Sequence, residues 1–257
     1  MADPNPTHTE ICGATPDRIE VRGRDLVHEL VGKLTFTQMF LFHLLGRDPT
    51  PMQTAITDAV LVCIMEHGLV PSTVAARLTW LGAPDSYQGA VAAGLLGVGD
   101  RFAGTASRCA ELLDRIVARP AAQRESEARA LVEALRRERK PVPGFGHPTH
   151  KGADPRVPRL IEIARGQGAS GEYLAALTLL AAAIERTLGR PLPMNVSAAI
   201  AAVVREAQLP AQAVRGLILT ARCAGIVGHL LEESERPAAQ AMWEAAEREV
   251  PYRPPSA

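Results

Sequence analysis

The sequence predicts an all-α protein. Alanine, leucine, glutamate and arginine dominate the 257 residues, and these residue types favour the helix. Only 4% of the residues are aromatic, and β-branched residues rarely alternate with polar ones, so the pattern typical of strands is missing. Helix start and stop residues recur along the chain, and we find neither an internal repeat nor a run of strands. We therefore expect one helical domain over residues 1–257.

Helical patterns follow one another from the N-terminus. Residues 24–46 give two apolar-periodic segments divided at Gly32, and Thr35 is the expected N-cap of the second segment. In the next helix, Thr50 is the expected cap, Pro51 lies in the first turn and Gly68 follows the last turn. An extended tail is expected at the C-terminus. Further helices are predicted over 71–82, 85–99, 103–119, 123–140, 154–168, 171–189, 195–208 and 210–236.

Charge and cysteine content exclude several classes of function. Lysine plus arginine equals aspartate plus glutamate at 28 each, so no nucleic-acid or membrane partner is predicted. The cysteines form no CxxC pair, so neither a disulfide framework nor a metal site is indicated. No basic segment followed by an apolar stretch marks the N-terminus as a signal peptide, so we expect a cytoplasmic protein.

The segment "PVPGFGHPTHKGADPR", residues 141–156, differs in composition from the rest of the chain. Glycine lets backbone N–H groups approach a ligand closely, and histidine exchanges protons near neutral pH. Arginine and lysine bind carboxylates and phosphates. Composition alone leaves two interpretations open, a ligand-binding loop and a rigid connector between helices.

The same segment resembles the GxGHRxYKxxDPR signature of the citrate synthase superfamily, and five further segments are similar to that family in the same order. "VRGRDLVHELVGKLTFTQMFLFHLLGRDPT" resembles the N-terminal segment of the family, and "EHGLVPSTVAAR" its HExxxxST segment. "GVGDRFAGTASRCAELL" resembles GDRFGGA of the citryl-CoA lyase module of ATP-citrate lyase. "LPMNVSAAIAAV" resembles the NVD segment, and "ARCAGIVGHLLEE" followed by "ERPAAQAMW" resembles the closing segments.

The resemblance implies a citrate-synthase-like, two-lobed helical fold that forms an intertwined homodimer or a higher oligomer. It implies a large lobe of about 1–110 and 216–257 and a small lobe of about 111–215. A CoA thioester and a small carboxylate would bind as substrates in the cleft between the lobes, and no permanently bound cofactor or metal is implied. The chain is most similar to the short citryl-CoA lyases, because it lacks the longer N-terminal region of the synthases.

The resemblance also assigns roles to residues at matching motif positions. His147 would act on the carbonyl or hydroxyl group of the substrate, and His67, Arg156 and Arg222 would bind carboxylates. Arg236 would bind a carboxylate from the neighbouring subunit. Four residues of the loop, Gly144, Phe145, Gly146 and Lys151, would bind CoA.

The chain departs from the family pattern at several of these positions. Phe102 takes the place of a histidine of the synthases, as in ATP-citrate lyases, and would lie against the substrate. Ser197 takes the place of the catalytic aspartate, and an unassisted hydroxyl cannot exchange the α-proton at pH 7. Pro148 and His150 replace an arginine and a tyrosine. His150 is either the replacement acid–base group or a substituted scaffold residue.

The predicted function is a carbon–carbon lyase or synthase of the citryl-CoA lyase type, joining or separating an acyl-CoA and a small keto acid. The alternatives are a catalytically altered homologue that binds CoA or carboxylate as a sensor or subunit, and an acyl-CoA thioester hydrolase. His229 lies on the same predicted helix as Arg222, and we interpret it as a structural histidine, with a role in the site as the alternative.

Overall fold

Ten α-helices account for most of the part of the chain described in a computed structural model, residues 7–146 and 154–255. The predicted all-α fold is confirmed. The helices are α1 Phe36–Leu45, α2 Pro51–Met65, α3 Pro71–Gly82, α4 Tyr87–Val117, α5 Arg124–Arg137, α6 Arg156–Gly166, α7 Glu172–Leu188, α8 Val196–Glu206, α9 Ala211–Glu235 and α10 Ala239–Glu249.

The first two helices begin where the sequence predicts. The side chain of Thr35 accepts a hydrogen bond from the backbone N–H of Gln38, and the side chain of Gln38 accepts one from the backbone N–H of Thr35. Thr50 and Gln53 form the same reciprocal pair at α2, with Pro51 in the first turn. These capping boxes satisfy backbone donors that the first turn of a helix leaves free.

The N-terminal region corrects the prediction that the chain contains no run of strands. Three short antiparallel strands pair in the order β1 Cys12–Ala14, β2 Ile19–Val21 and β3 Arg24–Asp25. Arg22 and Gly23 join the last two, with φ of 51° and 76°. Two consecutive left-handed residues form the tight turn that suits a hairpin. The helix expected from residue 24 is accordingly reduced to one π-helical turn, Leu26–Leu30.

Helix α4 consists of two helical segments that meet at a kink, in agreement with the predicted segments 85–99 and 103–119. Gly99 lies at the kink with φ of 53° and ψ of −178°, a conformation that residues with a side chain rarely adopt. The first segment therefore ends at this glycine, as predicted, and Phe102 lies in the first turn of the second segment. Helix α10 was not among the predicted helices.

Helix α8 lies at the centre of the main core. Its residues from Ala198 to Val204 are all at most 1% exposed, and it contacts α2, α4, α6, α7 and α9. Helix α9 packs against α2, α3, α4 and α8. The boundaries of the two lobes stay a prediction.

Among the described residues, α9 is the one helix whose length and composition would allow it to cross a membrane. The same composition is found in core helices, and α9 buries Leu217, Ile218, Ile226 and Leu230 against its packing partners. The cytoplasmic location stays a prediction.

Candidate functional site

A cleft of about 930 Å³ collects most of the residues that the sequence singles out. Its walls come from α4, α9, the segment that follows α2, the segment 140–146 and the first turns of α6 and α8. Eight predicted site residues line it: His67, Phe102, Gly144, Phe145, Gly146, Arg156, Ser197 and Arg222.

The other four predicted site residues are not among the described residues that line the cleft. His147, His150 and Lys151 fall outside the described residues, so their placement stays a prediction. Arg236 is exposed, follows the last turn of α9 and does not line the cleft of its own chain.

The glycine loop is held against the segment that leads into α8. The N–H of Gly146 donates to the carbonyl of Pro193 over 2.8 Å, and the N–H of Asn195 donates to the carbonyl of Gly144 over 3.0 Å. The side-chain amide of Asn195 donates to the carbonyl of Gly146 over 2.8 Å. Because both sides of the contact are backbone or capping groups, the loop keeps a fixed position beside the start of α8.

Gly144 is required by its conformation and by its surroundings. Its φ is 86°, in the left-handed region. A Cβ atom there would lie 2.8 Å from Cβ of Ala198 and 3.0 Å from Sγ of Cys109. Absence of a side chain therefore lets the loop pack directly on α8 and α4. The same burial raises the pKa of the Cys109 thiol to about 12, so this cysteine is a packing residue.

Arg156 begins α6 and is fixed by Asp154. Its Nε and Nη2 atoms donate to Oδ1 and Oδ2 of Asp154 over 3.0 and 2.8 Å. The N–H of Val196 also donates to Oδ2. Burial alone raises the pKa of Asp154, but the hydrogen bonds from Arg156 and Val196 outweigh it, and the pKa falls below its ordinary value. The ionised carboxylate therefore ties the start of α6 to the start of α8 and orients the guanidinium group in the cleft wall.

Arg222, on α9, is a buried cation with an unused donor. The residue is 8% exposed, and its Nη1 atom is buried without a hydrogen-bond partner among the described residues. Burial lowers the pKa of Arg222, the nearby charge of Glu66 raises it, and the charge of Arg156 lowers it further. An arginine stays charged at neutral pH even so. An anion bound beside Arg156 and Arg222 would satisfy both the donor and the charge.

His67 lies in the turn between α2 and α3 and lines the same cleft. Glu66 precedes it, and Oε1 of Glu66 accepts hydrogen bonds from the N–H groups of His67 and Gly68 over 2.7 and 2.6 Å. Burial raises the pKa of Glu66, but the contact with His229 and the hydrogen bonds from the N–H groups of His67 and Gly68 outweigh it and lower the pKa. Glu66 was not predicted from the sequence, because its partner His229 lies far along the chain.

Phe102 and Ser197 line the cleft from different helices, α4 and α8. Phe102 follows the bend of α4 and is 52% exposed, with its ring available to a ligand. Ser197 is half-buried in the first turn of α8, and its N–H donates to Oδ1 of the capping Asn195 over 3.0 Å. Among the described residues that line the cleft, the one acidic side chain is that of Glu111, on α4.

Basic residues at the cleft were also missed. Besides Arg156 and Arg222, the described lining contains Arg101, Arg108 and Lys140. Arg101 follows Asp100 in the "GDRF" motif. The motif could therefore have identified this arginine, but only its phenylalanine was considered as a site residue. Asp154 pairs with Arg156 and Glu66 lies near Arg222, but basic side chains still outnumber acidic ones around the described part of the cleft, which favours an anionic ligand.

Among the described residues, no group of three or more His, Cys, Asp or Glu side chains is arranged to hold a metal ion. The prediction that no metal takes part stays a prediction.

Comparison with known families and sequences gives consistent matches. The model of the family described as "Citrate synthase, C-terminal domain" matches residues 14–243. "Putative citrate synthase 2" of Mycobacterium tuberculosis is 28% identical over 205 residues, which cover 77% of this chain and 52% of that protein. "Citrate synthase" of Synechocystis is 28% identical over 207 residues, covering 78% and 50%. The chain thus spans about half the length of these curated relatives.

Among solved structures, citryl-CoA lyase from Hydrogenobacter thermophilus superposes with a TM-score of 0.84 and 31% identity. The match covers 98% of this chain and 97% of that one. An ATP citrate lyase of Methanosaeta concilii, solved as a D541A mutant with (3S)-citryl-CoA, has a TM-score of 0.76 and 20% identity. This match covers the whole of this chain and 43% of that one, and it shows a common fold.

Proposed function

The chain belongs to the citrate synthase family, and on that premise we propose that it cleaves or forms a carbon–carbon bond between an acyl-CoA and a small keto acid, as citryl-CoA lyases do. The observation that carries the proposal is the unpartnered, buried Nη1 of Arg222, in a cleft shared with Arg156 and the glycine loop. A buried donor of a charged group that lacks a hydrogen-bond partner is costly, so this Nη1 atom favours a ligand with an acceptor such as a carboxylate.

The cleft suits the two parts of such a substrate. Arg156, Arg222 and His67 offer donors to the carboxylates of the acid. Gly144 and Gly146 place bare backbone next to the apolar wall, where the thioester arm would lie. Arg101, Arg108 and Lys140 supply charge for the phosphates of CoA.

In the cleavage direction, the substrate loses one proton from its hydroxyl group and gains one at the α-carbon. His147 accepts the proton of the substrate hydroxyl as the carbon–carbon bond breaks and the keto acid forms. The electron pair of the broken bond becomes a thioester enolate, and its α-carbon takes a proton to give the acyl-CoA. Ser197 cannot supply that proton unaided, so we assign the second step to His150 or to water held at the cleft. Synthesis is the reverse sequence.

A direct test is incubation of the purified chain with (3S)-citryl-CoA and with a panel of acyl-CoA and keto-acid pairs, followed by mass spectrometry of the products. The proposal expects a keto acid and an acyl-CoA in equal amounts. His147→Ala should lower kcat by about 10²–10⁴-fold, with a smaller effect on binding. Unchanged turnover in this variant would reject the role of His147.

A second candidate function is favoured by Ser197, since the aspartate expected at that position is missing. The chain would then bind CoA or carboxylate as a sensor or as a subunit of a larger assembly. Tight CoA binding by calorimetry, with no turnover of any member of the panel, would support this candidate. Free CoA and an intact free acid, without carbon–carbon cleavage, would indicate a thioester hydrolase instead.

A further inference from the structure

Glu66 holds the peptide that carries His67. The carboxylate follows the last turn of α2, and Oε1 accepts both the His67 and the Gly68 N–H groups, over 2.7 and 2.6 Å. A side chain that binds two consecutive backbone donors fixes the turn that follows it. The direction in which His67 leaves the backbone therefore depends on where the Glu66 carboxylate is held.

His229 holds that carboxylate from α9. Its Nε2 atom lies 2.9 Å from Oε1 of Glu66, and its Nδ1 atom lies 2.9 Å from Nη2 of Arg77. Arginine can only donate, so Nδ1 accepts and the ring proton lies on Nε2. This atom is within ion-pair distance of Glu66 but lacks the angle of a hydrogen bond to it. The histidine therefore links a buried arginine to the carboxylate.

Arg77 anchors the histidine from behind. The residue is 2% exposed, and its Nη1 atom donates to Glu233 over 2.5 Å. Its Nη2 atom also contacts Glu232. These two carboxylates fix the position of Arg77. A series of contacts therefore leads from buried Arg77 through His229 and Glu66 to the turn at the cleft.

The surface of α9 is shaped to receive Glu66. Arg222, Gly225 and His229 are spaced by three and four residues, so they lie on one face of the helix. A Cβ atom on Gly225 would lie 2.2 Å from the carbonyl oxygen of Met65 and 3.2 Å from Oε2 of Glu66. The glycine therefore lets the end of α2 rest directly on α9, with Glu66 beside both Arg222 and His229.

We propose that Glu66, held by His229 and Arg77, is a positioning residue that orients His67 and balances the charge of Arg222 for carboxylate binding. The inference rests on the proposed function, since it takes His67 and Arg222 as the carboxylate ligands. His67 and Arg222 are assigned to carboxylate binding and not to bond breaking. We therefore expect loss of the Glu66 carboxylate to lower the affinity for the carboxylate ligand.

The test compares Glu66→Gln with the unaltered full-length chain, using citrate and oxaloacetate as probes in calorimetry. Loss of a positioning partner typically costs about 10–100-fold, and we expect the dissociation constant for citrate to rise by that factor. With an active acyl-CoA substrate, KM should rise more than kcat falls. Glu66→Asp keeps the charge and the backbone acceptor, so it should recover most of the affinity.

Two further measurements keep the test specific. Glu133→Gln removes a carboxylate of the same kind from an exposed pair with Arg129 on α5, and it should leave citrate affinity unchanged. The imidazole carbon–proton NMR signal of His67, assigned with His67→Gln, should shift or broaden in Glu66→Gln and stay in place in Glu133→Gln.

The outcomes separate the two proposals. If the unaltered chain binds neither probe, carboxylate binding of this kind is rejected, while the His67 signal still decides the positioning role. If Glu66→Gln folds and matches the unaltered chain in both affinity and the His67 signal, the positioning role is overturned. If Glu66→Gln does not fold, His229→Gln takes its place under the same criteria.

Discussion

Gly144 and Gly146 share a left-handed backbone and differ in what surrounds them. Their φ values are 86° and 81°. Around Gly144 the space for a Cβ atom is filled by Ala198 and Cys109, whereas around Gly146 no atom of the described residues lies within 4 Å. The two positions thus separate the cost of the backbone conformation from the cost of close packing.

Alanine at each position should destabilise the fold by different amounts. Gly146→Ala should cost about 1–2 kcal/mol, for the left-handed conformation alone. Gly144→Ala should cost about 2–4 kcal/mol, since the overpacking of α8 adds to the same conformational term. Urea unfolding followed by circular dichroism measures both free energies of unfolding. Equal losses would show that the loop moves away from α8 at no cost.

Ser197 marks the largest chemical change relative to the family pattern, and its first-turn position on α8 makes a direct test possible. Ser197→Asp places a carboxylate at a helix N-terminus, where negative charge is stabilised. If only the α-carbon step is missing, this variant should create or raise citryl-CoA cleavage, measured by release of acetyl-CoA. The matched control is Ser197→Asn, which has the same size without the charge. A folded Ser197→Asp chain without added activity would show that Pro148 and His150 have changed the acid pocket as well.

At the scale of elements, the bend in α4 determines where two cleft residues lie. Gly99 is in a conformation available mainly to glycine, and Arg101 and Phe102 follow it within one turn. The sequence predicted the helical segments on both sides, since their apolar periodicity is strong. It could not predict the angle between them, because a glycine at the end of a periodic segment indicates where that helix ends and not the direction of the next one.

Gly99→Ala should therefore disturb stability and ligand binding together. The strained conformation should cost about 1–3 kcal/mol, and CoA affinity should fall several-fold as Arg101 and Phe102 move. Gly104→Ala is the matched control, because this glycine lies in the same helix and a Cβ atom there meets Arg108 no closer than 3.4 Å. The control should be neutral or stabilising by about 1 kcal/mol or less. Thermal melting and calorimetry with CoA measure the two effects, and identical behaviour of both variants would contradict the assignment of the bend.

At the scale of the whole molecule, contacts between residues close together in the sequence could be predicted, whereas contacts between distant residues could not. Caps such as Thr35 and Thr50 are local, and both were predicted correctly. Site residues in family motifs were identified because each motif was compared as a whole segment. The hydrogen bond between Asp154 and Val196, which lie in two different motifs, was visible only in the structure. Glu66 and His229 lie 163 positions apart by their numbering, and no local pattern joins them, so only the structure could reveal their contact.

The surface of the single chain also bears on the predicted homodimer. Large apolar side chains are exposed on several packed helices, among them Val62 at 73%, Leu96 at 82% and Leu231 at 61%. Exposed apolar side chains favour a protein interface only where they adjoin one another, so the homodimer stays a prediction. Arg236, at the end of α9 and outside the cleft of its own chain, would then be available to the cleft of a neighbour.

A mixed dimer tests whether Arg236 acts across that interface. His67→Ala and Arg236→Ala should each abolish or strongly weaken carboxylate binding in the homodimer. Co-expression with two different affinity tags yields the heterodimer, in which one site has intact His67 from one chain and intact Arg236 from the other. The second site carries both defects. If the sites are shared as predicted, the heterodimer should regain about half of the wild-type citrate-binding stoichiometry or turnover, since one site in two is whole.

The matched control pairs His67→Ala with Arg222→Ala, two residues that line the cleft of the same chain, and it should recover nothing because each site keeps one defect. A heterodimer of the first pair as impaired as its parents would place Arg236 in its own chain's site or outside any site, and sedimentation showing a stable folded monomer at micromolar concentration would remove the shared site altogether.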